Sequence, residues 1–325
     1  MHADPVIPGA SHAPDASSLR ARMRLWFDSG YIAAPAARNG GIDLWRVLPF
    51  IFLHAACLAV FFVGVSPVAL AAAGATFALR MFAITAFYHR YFAHRTFKTS
   101  RVAQFVFAAL GASAVQRGPI WWAAHHRNHH SHSDREKDAH SPARHGFWRA
   151  HMGWFLSHEG FAPDLRRVRD LTRYPELQWL DRYDIVVPVL FAAAIFAVGA
   201  LLESTAPELQ TNRWQLLVWG FFISTIVCSH VTYMINSLAH VFGRQRYRTY
   251  DDSRNNWWLA LLTLGEGWHN NHHYCPGSAR QGFYWWEIDI SYYLLRVMAW
   301  CGLIWDLKTV PLAVRDSTAL RLPRG

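Results

Sequence analysis

The histidines of this chain are concentrated in a few short motifs. The segment HHRNHHSH, residues 125–132, contains five histidines in eight residues, and HNNHH at 269–273 repeats the spacing His-x-x-His-His. The segment HRYFAH at 89–94 holds two more, and NSLAH at 236–240 adds an asparagine and another histidine. Because imidazole is a good ligand for Zn, Cu, Fe and Ni, these motifs predict a metal site.

The spacing of the motifs constrains how they can share a site. Residues three and four positions apart lie on one face of a helix, so we expect each His-x-x-His-His motif to present three imidazoles toward one point. His89 and His94 are about 140° apart around an ideal α-helix, so they can share a site only if the helix ends or bends between them. Counted without His125 and His132, which lie outside the His-x-x-His-His spacing, the motifs contain nine histidines. Nine exceed the four ligands of one structural zinc, which favours two metals. A loose chelating tract is the alternative, but it does not account for a repeated motif.

Four apolar stretches are long enough to position these motifs at a membrane. About 20 apolar residues cross a hydrocarbon core, which predicts spans at about 46–64, 68–88, 183–202 and 214–236. The chain is 52% hydrophobic and contains 16 Trp, which agrees with this interpretation. Buried helices of a large soluble protein are the alternative. The histidine motifs follow the ends of the predicted spans or lie in the polar segments between them.

Basic residues are distributed unevenly around the predicted spans. The net charge is +10; segment 89–182 carries 15 Lys and Arg and segment 236–325 carries ten, whereas the link 203–213 carries only Arg213. Positive residues mark the cytoplasmic side, so we expect both termini and all histidine motifs there. Since the charges flank spans, anionic lipid head groups or an acidic ligand are better partners than nucleic acid.

The remaining segments receive simpler predictions. Residues 1–44 are expected to be a flexible cytoplasmic tail with a short basic amphipathic helix at 18–27, and they contain no apolar signal-peptide region. Residues 307–325 are expected to be a second tail. Segments 101–122 and 284–307 are predicted to be interfacial or buried helices, not further spans. The segment DDSRNN reads as a polar turn, and the four cysteines show no CxxC pair.

Longer stretches around the motifs resemble a known family. They are AITAFYHRYFAHRTFKT at 83–99, GPIWWAAHHRNHHSHSD at 118–134, NSLAHVFGRQRY at 236–247 and LGEGWHNNHHYCP at 264–276. With the four predicted spans they resemble bacterial-like integral-membrane fatty acid desaturases of the stearoyl-CoA (acyl-CoA delta-9) type. The resemblance covers roughly residues 45–306. It implies an all-α membrane protein with four transmembrane helices in two hairpins and a cytoplasmic helical cap that holds a histidine-rich di-iron site.

The resemblance also implies a ligand set and a reaction. Asn236 matches the residue that holds a metal-bound water, and the implied ligands of two iron ions are His89, His94, His126, His129, His130, His240, His269, His272 and His273. The implied reaction is O₂-dependent desaturation of a fatty acyl chain, by expectation a cis bond at C9 of an acyl-CoA or another acyl thioester or lipid. The sequence contains no haem motif and no GxGxxG reductase motif, so the two electrons are expected from a separate ferredoxin- or cytochrome-like protein with its reductase. The expected location is a bacterial inner membrane.

Several residues beside the motifs could support the site. Tryptophans next to the ligands are candidates for the walls of an apolar acyl tunnel, or alternatively for an interfacial aromatic belt: Trp121, Trp122 and Trp268. Glu266 could orient a ligand imidazole, because metal-bound histidine usually donates its other N–H to an acceptor; a plain helix-end carboxylate is the alternative. Arg90 and Arg127 lie inside the motifs and could support the ligands or contact a head group.

One departure from the resemblance concerns the head group. Animal acyl-CoA desaturases carry an Arg-Asp pair before the second histidine motif, where this chain has Ala124 and His125. The head group could therefore be CoA, a carrier protein or an intact lipid, and the roles of His125 and His132 stay open. Two other functions are considered: a di-iron hydroxylase of alkanes, sterols or carotenoids, and a non-enzymatic metal-binding or transport protein. A transporter should place its ligands at mid-membrane, which the motifs do not.

Overall fold

The computed structural model describes residues 19–30 and 41–317 of the chain. Within these residues, four helices are long and apolar enough to cross a membrane, and they are called the first to fourth spans: Leu44–Val63, Pro67–Ala93, Val186–Thr205 and Arg213–His240. They agree with the predicted spans to within a few residues, except that the second and fourth continue further toward the histidine motifs. The first and third are mostly exposed on their apolar surfaces, as lipid-facing helices should be.

Tight links turn the spans into two hairpins. Between the first and second spans, Gly64 adopts a positive φ of 66°, and the Ser66 hydroxyl accepts the backbone N–H of Ala69 at 3.1 Å. Pro67 then occupies the first helical position, where its missing N–H costs no hydrogen bond. In the second hairpin, the Asn212 side chain caps the fourth span by accepting the N–H of Gln215 at 2.9 Å.

Polar contacts join the second span to the fourth. Arg80 of the second span is fully buried and donates to the hydroxyls of Ser224 and Thr225, both at 2.5 Å. The Thr76 hydroxyl lies 2.8 Å from the Gly220 carbonyl on the same facing surface. Charged and hydroxyl groups inside membrane helices are normally satisfied by neighbouring helices, as they are here.

The remaining described residues form a helical cap over one end of the spans. Its two short strands, Lys98–Thr99 and Ile304–Trp305, pair antiparallel. Three elements are 3₁₀ turns: His158–Phe161 and Leu165–Val168 in the cap, and Pro207–Leu209 in the second hairpin link. The helices outside the spans are Leu19–Phe27, Arg101–Ala112, Pro119–His132, Pro142–His145, Arg149–Gly153 (a π-helix), Arg169–Thr172, Pro175–Arg182, Trp257–Leu262, His269–Tyr274, Ile290–Trp300 and Leu312–Arg315. Helices 101–112 and 290–300 are too short to span, as predicted.

The main buried core lies where the second span enters the cap. Phe87 of the span stacks on Phe107 of helix 101–112, with ring centroids 4.0 Å apart. The backbone N–H groups of Ile120 and Trp121, at the start of helix 119–132, both donate to the carboxylate of Asp181. This core fixes the helix that carries the second histidine motif against the end of the span that carries the first.

The two predicted tails are partly ordered. Helix 19–27 forms as expected, but Trp26 stacks on Trp45 with centroids 4.7 Å apart, and Arg182 donates to Asp28 at 2.8 Å. Residues 1–18, 31–40 and 318–325 lie outside the described part of the chain. Residues 307–317, expected to be tail, pack on the cap, where the Tyr247 hydroxyl donates to the carbonyl of Arg315 at 2.8 Å. The globular part therefore extends past 306.

Candidate metal centre

Within the described part of the chain, the nine motif histidines form two clusters whose ring nitrogens could each hold a metal ion. The five-histidine cluster contains His89, His94, His126, His130 and His272, and the four-histidine cluster contains His129, His240, His269 and His273. In each cluster the candidate ligand nitrogens lie within 4.8 Å of one another. The residues that the motifs single out are thus brought together in three dimensions.

A π-helix solves the spacing problem of the first motif. The second span changes from an α-helix to a π-helix at Ala83–Ala93, and the N–H of His94 donates to the carbonyl of His89 at 3.1 Å. In a π-helix, hydrogen bonds join residues five apart, so His89 and His94 lie on the same side. Their ring centroids are 4.8 Å apart. The expected end or bend is therefore a wider helical turn.

The prediction that each His-x-x-His-His motif presents three imidazoles to one point is wrong. In the second motif, the pair four residues apart, His126 and His130, joins the five-histidine cluster, while His129 joins the other. The third motif does the reverse, since only His272 joins the five-histidine cluster. Positions i and i+4 are about 40° apart on a helix, whereas i+3 is offset to the other side. Each motif helix therefore lies between the two clusters and contributes to both.

Carboxylates fix the rings of the four-histidine cluster from behind. Three of its Nδ1 atoms lie within hydrogen-bonding distance of an aspartate oxygen, in the pairs His129–Asp138 (3.0 Å), His240–Asp134 (2.8 Å) and His273–Asp251 (2.7 Å). An Nδ1–H that donates to a carboxylate leaves Nε2 as a bare lone pair, which is the form that binds a metal. The arrangement therefore orients this cluster for metal coordination.

Glu266 orients the first ring of the five-histidine cluster. Its Oε2 lies 2.5 Å from Nδ1 of His89 and accepts from Gln281 at 2.8 Å, while its Oε1 lies 3.2 Å from Arg90. Arg90 is fully buried and also lies 2.9 Å from Asp289, so both arginine and glutamate are held in place. The expectation that Glu266 faces a ligand imidazole agrees with this geometry, as does a supporting position for Arg90.

Burial favours the neutral form of three imidazoles of the five-histidine cluster. It lowers the pKa of His94, His126 and His272 well below the usual value, and the neighbouring histidines lower it further. Burial alone would raise the pKa of Asp134, but hydrogen bonds from His240 and Ser141 bring it down to about 2. Neutral imidazoles supported by ionised carboxylates are the protonation states that metal binding requires.

The donor set fits metal cations. Nε2 of His240 lies 3.0 Å from Nε2 of His269, and Nε2 of His89 lies 3.0 Å from Nε2 of His272. Carboxylates lie beside the Nδ1 atoms of His240 and His89, so the Nε2 lone pairs of these two rings face His269 and His272. A cation bound between such lone pairs stabilises this arrangement. Nε2 of His273 is buried without a hydrogen-bond partner among the described residues. Imidazole donors of this kind suit iron as well as zinc and copper.

A large apolar cavity adjoins the five-histidine cluster. Its volume is about 450 Å³, and it runs from His126 and Asn236 to the surfaces of the first and third spans. Trp121 and Trp122 line it, and the Trp122 ring stacks on that of His126 at 4.9 Å. The third tryptophan is elsewhere: Trp268 is not among the lining residues and donates instead to the Ile288 carbonyl at 2.8 Å.

A smaller cavity lies between the clusters. It measures about 40 Å³, and Asn236 and Trp122 line both it and the large cavity. Its wall includes His89 and His126 from one cluster and His269 from the other. A space of this size can hold one water molecule, and the side chain of Asn236 is one of the polar groups in its wall.

Arg127 supports the motif helices and does not contact a ligand ring. Its guanidinium donates to the carbonyls of Phe92 and Ala93, at the end of the π-helix, and to both oxygens of Asp170. Carbonyls at a helix end have no partner within the helix, so Arg127 caps the second span and holds helix 119–132 against it. The structure therefore favours a supporting role for Arg127 over the alternative in which it contacts a substrate head group.

The two open histidines of the second motif are separated by the structure. His125 lies against Trp121, with ring centroids 4.5 Å apart, and lines the large cavity. Burial, together with the charge of Arg117, lowers the pKa of His125 to about 4, so this imidazole is neutral. His132 lies outside both clusters, and its Nδ1 is 3.1 Å from the Asn128 carbonyl.

Comparison with known proteins identifies the family. A sequence profile described as fatty acid desaturase matches residues 65–299, more than half of the chain. The chain belongs to the fatty acid desaturase family. It is similar to a delta-9 acyl-lipid desaturase from Arabidopsis thaliana, with 37% identity over 82% of this chain and 84% of the relative. It is also similar to an acyl-CoA 5-desaturase from Anemone leveillei, with 35% identity over 70% and 68%.

Some family relatives are considerably longer than the matched region. A probable chloroplastic lipid desaturase from Arabidopsis thaliana is 37% identical over 69% of this chain, but the match covers only 59% of that relative. The profile covers the second to fourth spans and all the histidine motifs.

Sequence reasoning missed the aspartates behind the four-histidine cluster. Asp134 and Asp138 lie shortly after the second motif in the sequence. This closeness could have indicated that they are hydrogen-bond partners for its imidazoles. Asp251 begins the segment predicted to be a polar turn, yet it lies against His273, from which it is 22 residues away in sequence. No local signal marks Asp251 or Gln281 as members of this desaturase site, because only the fold brings them to it.

Proposed function

We propose that the protein is a di-iron fatty acyl desaturase that introduces a double bond into a saturated chain. The observation that supports this most directly is that the apolar cavity reaches His126 of the five-histidine cluster, while Trp122 and Asn236 of its wall also line the small cavity that reaches His269 of the four-histidine cluster. An unactivated methylene pair offers no polar handle, so its oxidation needs a metal that activates O₂ next to an apolar binding site. Here both features lie side by side, separated by His126, Trp122 and Asn236.

The reaction consumes one O₂, two electrons and two protons per double bond. The two methylenes each lose one hydrogen, so that –CH₂–CH₂– + O₂ + 2 e⁻ + 2 H⁺ gives –CH=CH– + 2 H₂O. The two histidine clusters would each hold one iron ion, and the pair supplies O₂ activation when bound. The electrons come from a separate donor protein with its reductase, in this proposal a ferredoxin- or cytochrome-like one.

The residues of the protein itself position the chain and limit water access. Trp121 and Trp122 form an apolar wall at the point where the cavity reaches His126, and Gln116 donates to Thr232 at 3.1 Å across the cavity lining. When the protein holds one C–C bond of the acyl chain beside the clusters, the oxidation takes place selectively at that bond. Asn236 holds a water molecule between the clusters in this proposal, supported by its position in the 40 Å³ cavity.

The substrate class follows from the family with one open choice. We propose a cis bond at C9, as the names of the delta-9 relatives suggest, in an acyl-CoA or in another acyl thioester or lipid. The relatives named above include both acyl-lipid and acyl-CoA enzymes. His125 is half-buried and neutral in the cavity wall, so it does not supply the negative charge of an acidic contact to the head of CoA. The enzyme would act at the cytoplasmic face of a bacterial inner membrane.

Expression in a desaturase-deficient bacterial host tests the proposal. Mass spectrometry of the lipids should show a new monounsaturated chain with its double bond at C9 when the chain is expressed, and no incorporation of ¹⁸O from labelled O₂. The His129→Ala variant should lose the product, whereas the His158→Gln variant, which changes a histidine outside both clusters, should keep it. Incorporated ¹⁸O would indicate a hydroxylase, and purified protein without bound iron would overturn both enzymatic functions.

A further inference from the structure

The side chains that line the large apolar cavity are mostly buried or half-buried. Of the described residues in its lining, only Phe52 of the first span and Val189 of the third are exposed, at 62% and 57%. Every lining residue that the cap contributes is buried or half-buried. The cavity therefore comes closest to the molecular surface between these two spans and not within the cap.

The two exposed lining residues lie inside the apolar part of their spans. Phe52 is eight residues beyond Leu44 and Val189 is three beyond Val186, so they lie about 12 and 5 Å along the spans from their cap ends. Side chains exposed at this depth face lipid acyl chains and not water. The part of the cavity bordered by Phe52 and Val189 is called the lateral opening.

At its inner end the same cavity reaches the metal centre. Trp122, His126 and Asn236 line it there, and apolar side chains such as Ala192 of the third span and Phe222 of the fourth belong to the same lining. One continuous, mainly apolar space thus joins the lateral opening to the five-histidine cluster. An acyl chain can pass along such a space without contact with water.

The charged residues in the cavity lining form a polar edge at the cap ends of the spans. The guanidinium groups of Arg46 and Arg117 lie 4.7 and 5.6 Å from the centroid of the Phe161 ring, and all three residues line the cavity. Each arginine also has a carboxylate neighbour, Asp43 at 3.7 Å and Asp184 at 3.3 Å. Guanidinium groups suit a phosphate and carboxylates suit an ammonium group, so this edge fits a zwitterionic head group. The head of CoA carries several phosphates, for which the edge offers no excess of positive charge.

The amphipathic helix that contains Trp26 marks the membrane surface beside the polar edge. Trp26 lines the cavity and stacks on Trp45 at the start of the first span. Leu19, Met23 and Phe27 of this helix are spaced four apart and are all exposed, which gives an apolar stripe on its outer side. Such a helix lies between the lipid head groups and the acyl chains. The polar edge is therefore at head-group depth, and the lateral opening is deeper.

We propose that the acyl chain enters sideways from the bilayer, through the lateral opening, while it is still esterified to a zwitterionic phospholipid. This inference rests on the proposed function and names its substrate class. The head group stays at Arg46 and Arg117, the chain passes between the first and third spans, and its middle reaches His126. A phospholipid can follow this route without leaving the membrane.

Turnover in lipid vesicles tests the substrate class. The full-length protein, purified with iron, is placed in vesicles of phosphatidylcholine with deuterated stearoyl chains, without CoA, then reduced with dithionite and mixed with O₂. Mass spectrometry of the intact lipid should show deuterated alkene within phosphatidylcholine. Val189→Trp fills the lateral opening and should lower this product about tenfold or more. Leu190→Trp is the matched control, because Leu190 is 63% exposed but does not line the cavity, and it should keep the product.

Photolabelling measures entry of the chain without turnover. The same vesicles receive a small fraction of phosphatidylcholine that carries a diazirine in its acyl chain, and labelled peptides are mapped after irradiation. We expect label on the peptide of helix 119–132 that contains Trp122. The label should be lost in Val189→Trp and retained in Leu190→Trp, and thermal unfolding of both variants shows whether they are folded.

The outcomes separate the route from the reaction. Alkene from stearoyl-CoA added in water, with no alkene in phosphatidylcholine and no label at Trp122, would overturn the lateral route and leave the proposed function intact. Equal product and equal label in Val189→Trp and Leu190→Trp would also refute the route. If neither acyl substrate yields alkene while phosphatidylcholine labels the cavity, the route stands and the proposed function fails.

Discussion

At the scale of single residues, the site is built as much from its carboxylates as from its histidines. The aspartates behind the four-histidine cluster decide which ring nitrogen faces the metal. Because His273 has its Nδ1 2.7 Å from Asp251, its Nε2 is directed into the cluster as a lone pair. A change of the carboxylate therefore acts on the metal through the ring and without touching it.

The first prediction concerns Asp251. Asp251→Asn removes the charge that orients His273, so we expect the affinity for iron to fall roughly 10- to 100-fold, with the loss confined to one of the two ions. Iron content after dialysis against a graded series of chelator measures it. The neighbouring Asp252→Asn is the matched control, since Asp252 is exposed and should retain both ions. Equal iron loss in the two variants would contradict the assigned role of Asp251.

The second prediction is a loss of stability on acidification. Burial lowers the pKa of His273 to about 4, so the folded state resists a proton that the unfolded chain accepts below about pH 6.5. Above pH 6.5 the neutral His273 does not lower stability, and the free energy of unfolding decreases as the pH falls from about 6.5 toward 4. Asp134, with its pKa at about 2, adds a loss below about pH 4. Thermal unfolding of the iron-free protein should therefore show a decreasing midpoint from pH 7 to 4; a constant midpoint would contradict the buried neutral His273.

The sequence predicts which residues gather but not how they divide. All nine motif histidines lie in the two clusters, and Glu266 lies against His89, as their types and spacing suggested. The division of each motif between the clusters depends on how the helices cross, which no local pattern encodes. Asp251 was equally hidden, because a carboxylate 22 residues from its partner His273 is indistinguishable from any other turn residue.

At the scale of elements, the second span is the unusual part. Its π-helical end places His89 and His94 on one side, and Tyr88, next to His89, is buried against helix 101–112. A Cβ atom on Gly111 of that helix would lie only 2.1 Å from the Tyr88 ring. The glycine is therefore required for close approach of the two helices, and the π-helix depends on it for space.

The third prediction follows from this contact. Gly111→Ala must displace Tyr88 and with it the π-helical turn that holds His89, so we expect a loss of about 1–3 kcal/mol in unfolding free energy together with lower iron content. Gly74→Ala is the control. Gly74 lies in the second span, which also contains Tyr88; a Cβ atom there meets nothing within 4 Å, and alanine favours helix over glycine by up to about 1 kcal/mol. Thermal unfolding and iron analysis of both variants decide the matter. Unchanged iron in Gly111→Ala would show that the turn does not depend on Tyr88.

Apolar length predicts the spans well, and it fails where helices become irregular. The four predicted spans begin and end within a few residues of the observed ones, because hydrophobic length is a strong signal. The π-helix is not encoded by hydropathy, since Ala83–Ala93 has the same apolar character in either helical form. Helices 101–112 and 290–300 are shorter than a span, in line with the expectation for 101–122 from the position of the second motif and for 284–307 from its charged residues.

At the scale of the whole molecule, span length separates the metal centre from the membrane. The first and third spans have 20 residues each, about 30 Å, which matches the hydrocarbon core. The second and fourth have 27 and 28 residues, about 40 Å. The additional length carries His89 and His240 beyond the core, so the protein can hold polar ligands in the cap while the acyl cavity reaches down between the spans.

This arrangement gives a fourth prediction, on membrane orientation. If the cap faces the cytoplasm, the link at Glu208 must lie on the opposite side from Tyr250, because both hairpins turn away from the cap. A single cysteine, Glu208→Cys or Tyr250→Cys, is introduced in a background that lacks all four native cysteines, since Cys301 is exposed and Cys57 and Cys275 are partly exposed; both new positions are exposed. An impermeant maleimide added to intact spheroplasts should label the cysteine at 208 and leave the one at 250 unlabelled until the membrane is opened. Inverted vesicles should give the reverse pattern.

Labelling of both cysteines from one side would contradict the hairpin topology. A reversed pattern in spheroplasts would place the metal centre outside the cytoplasm, where a cytoplasmic electron donor could not reach it.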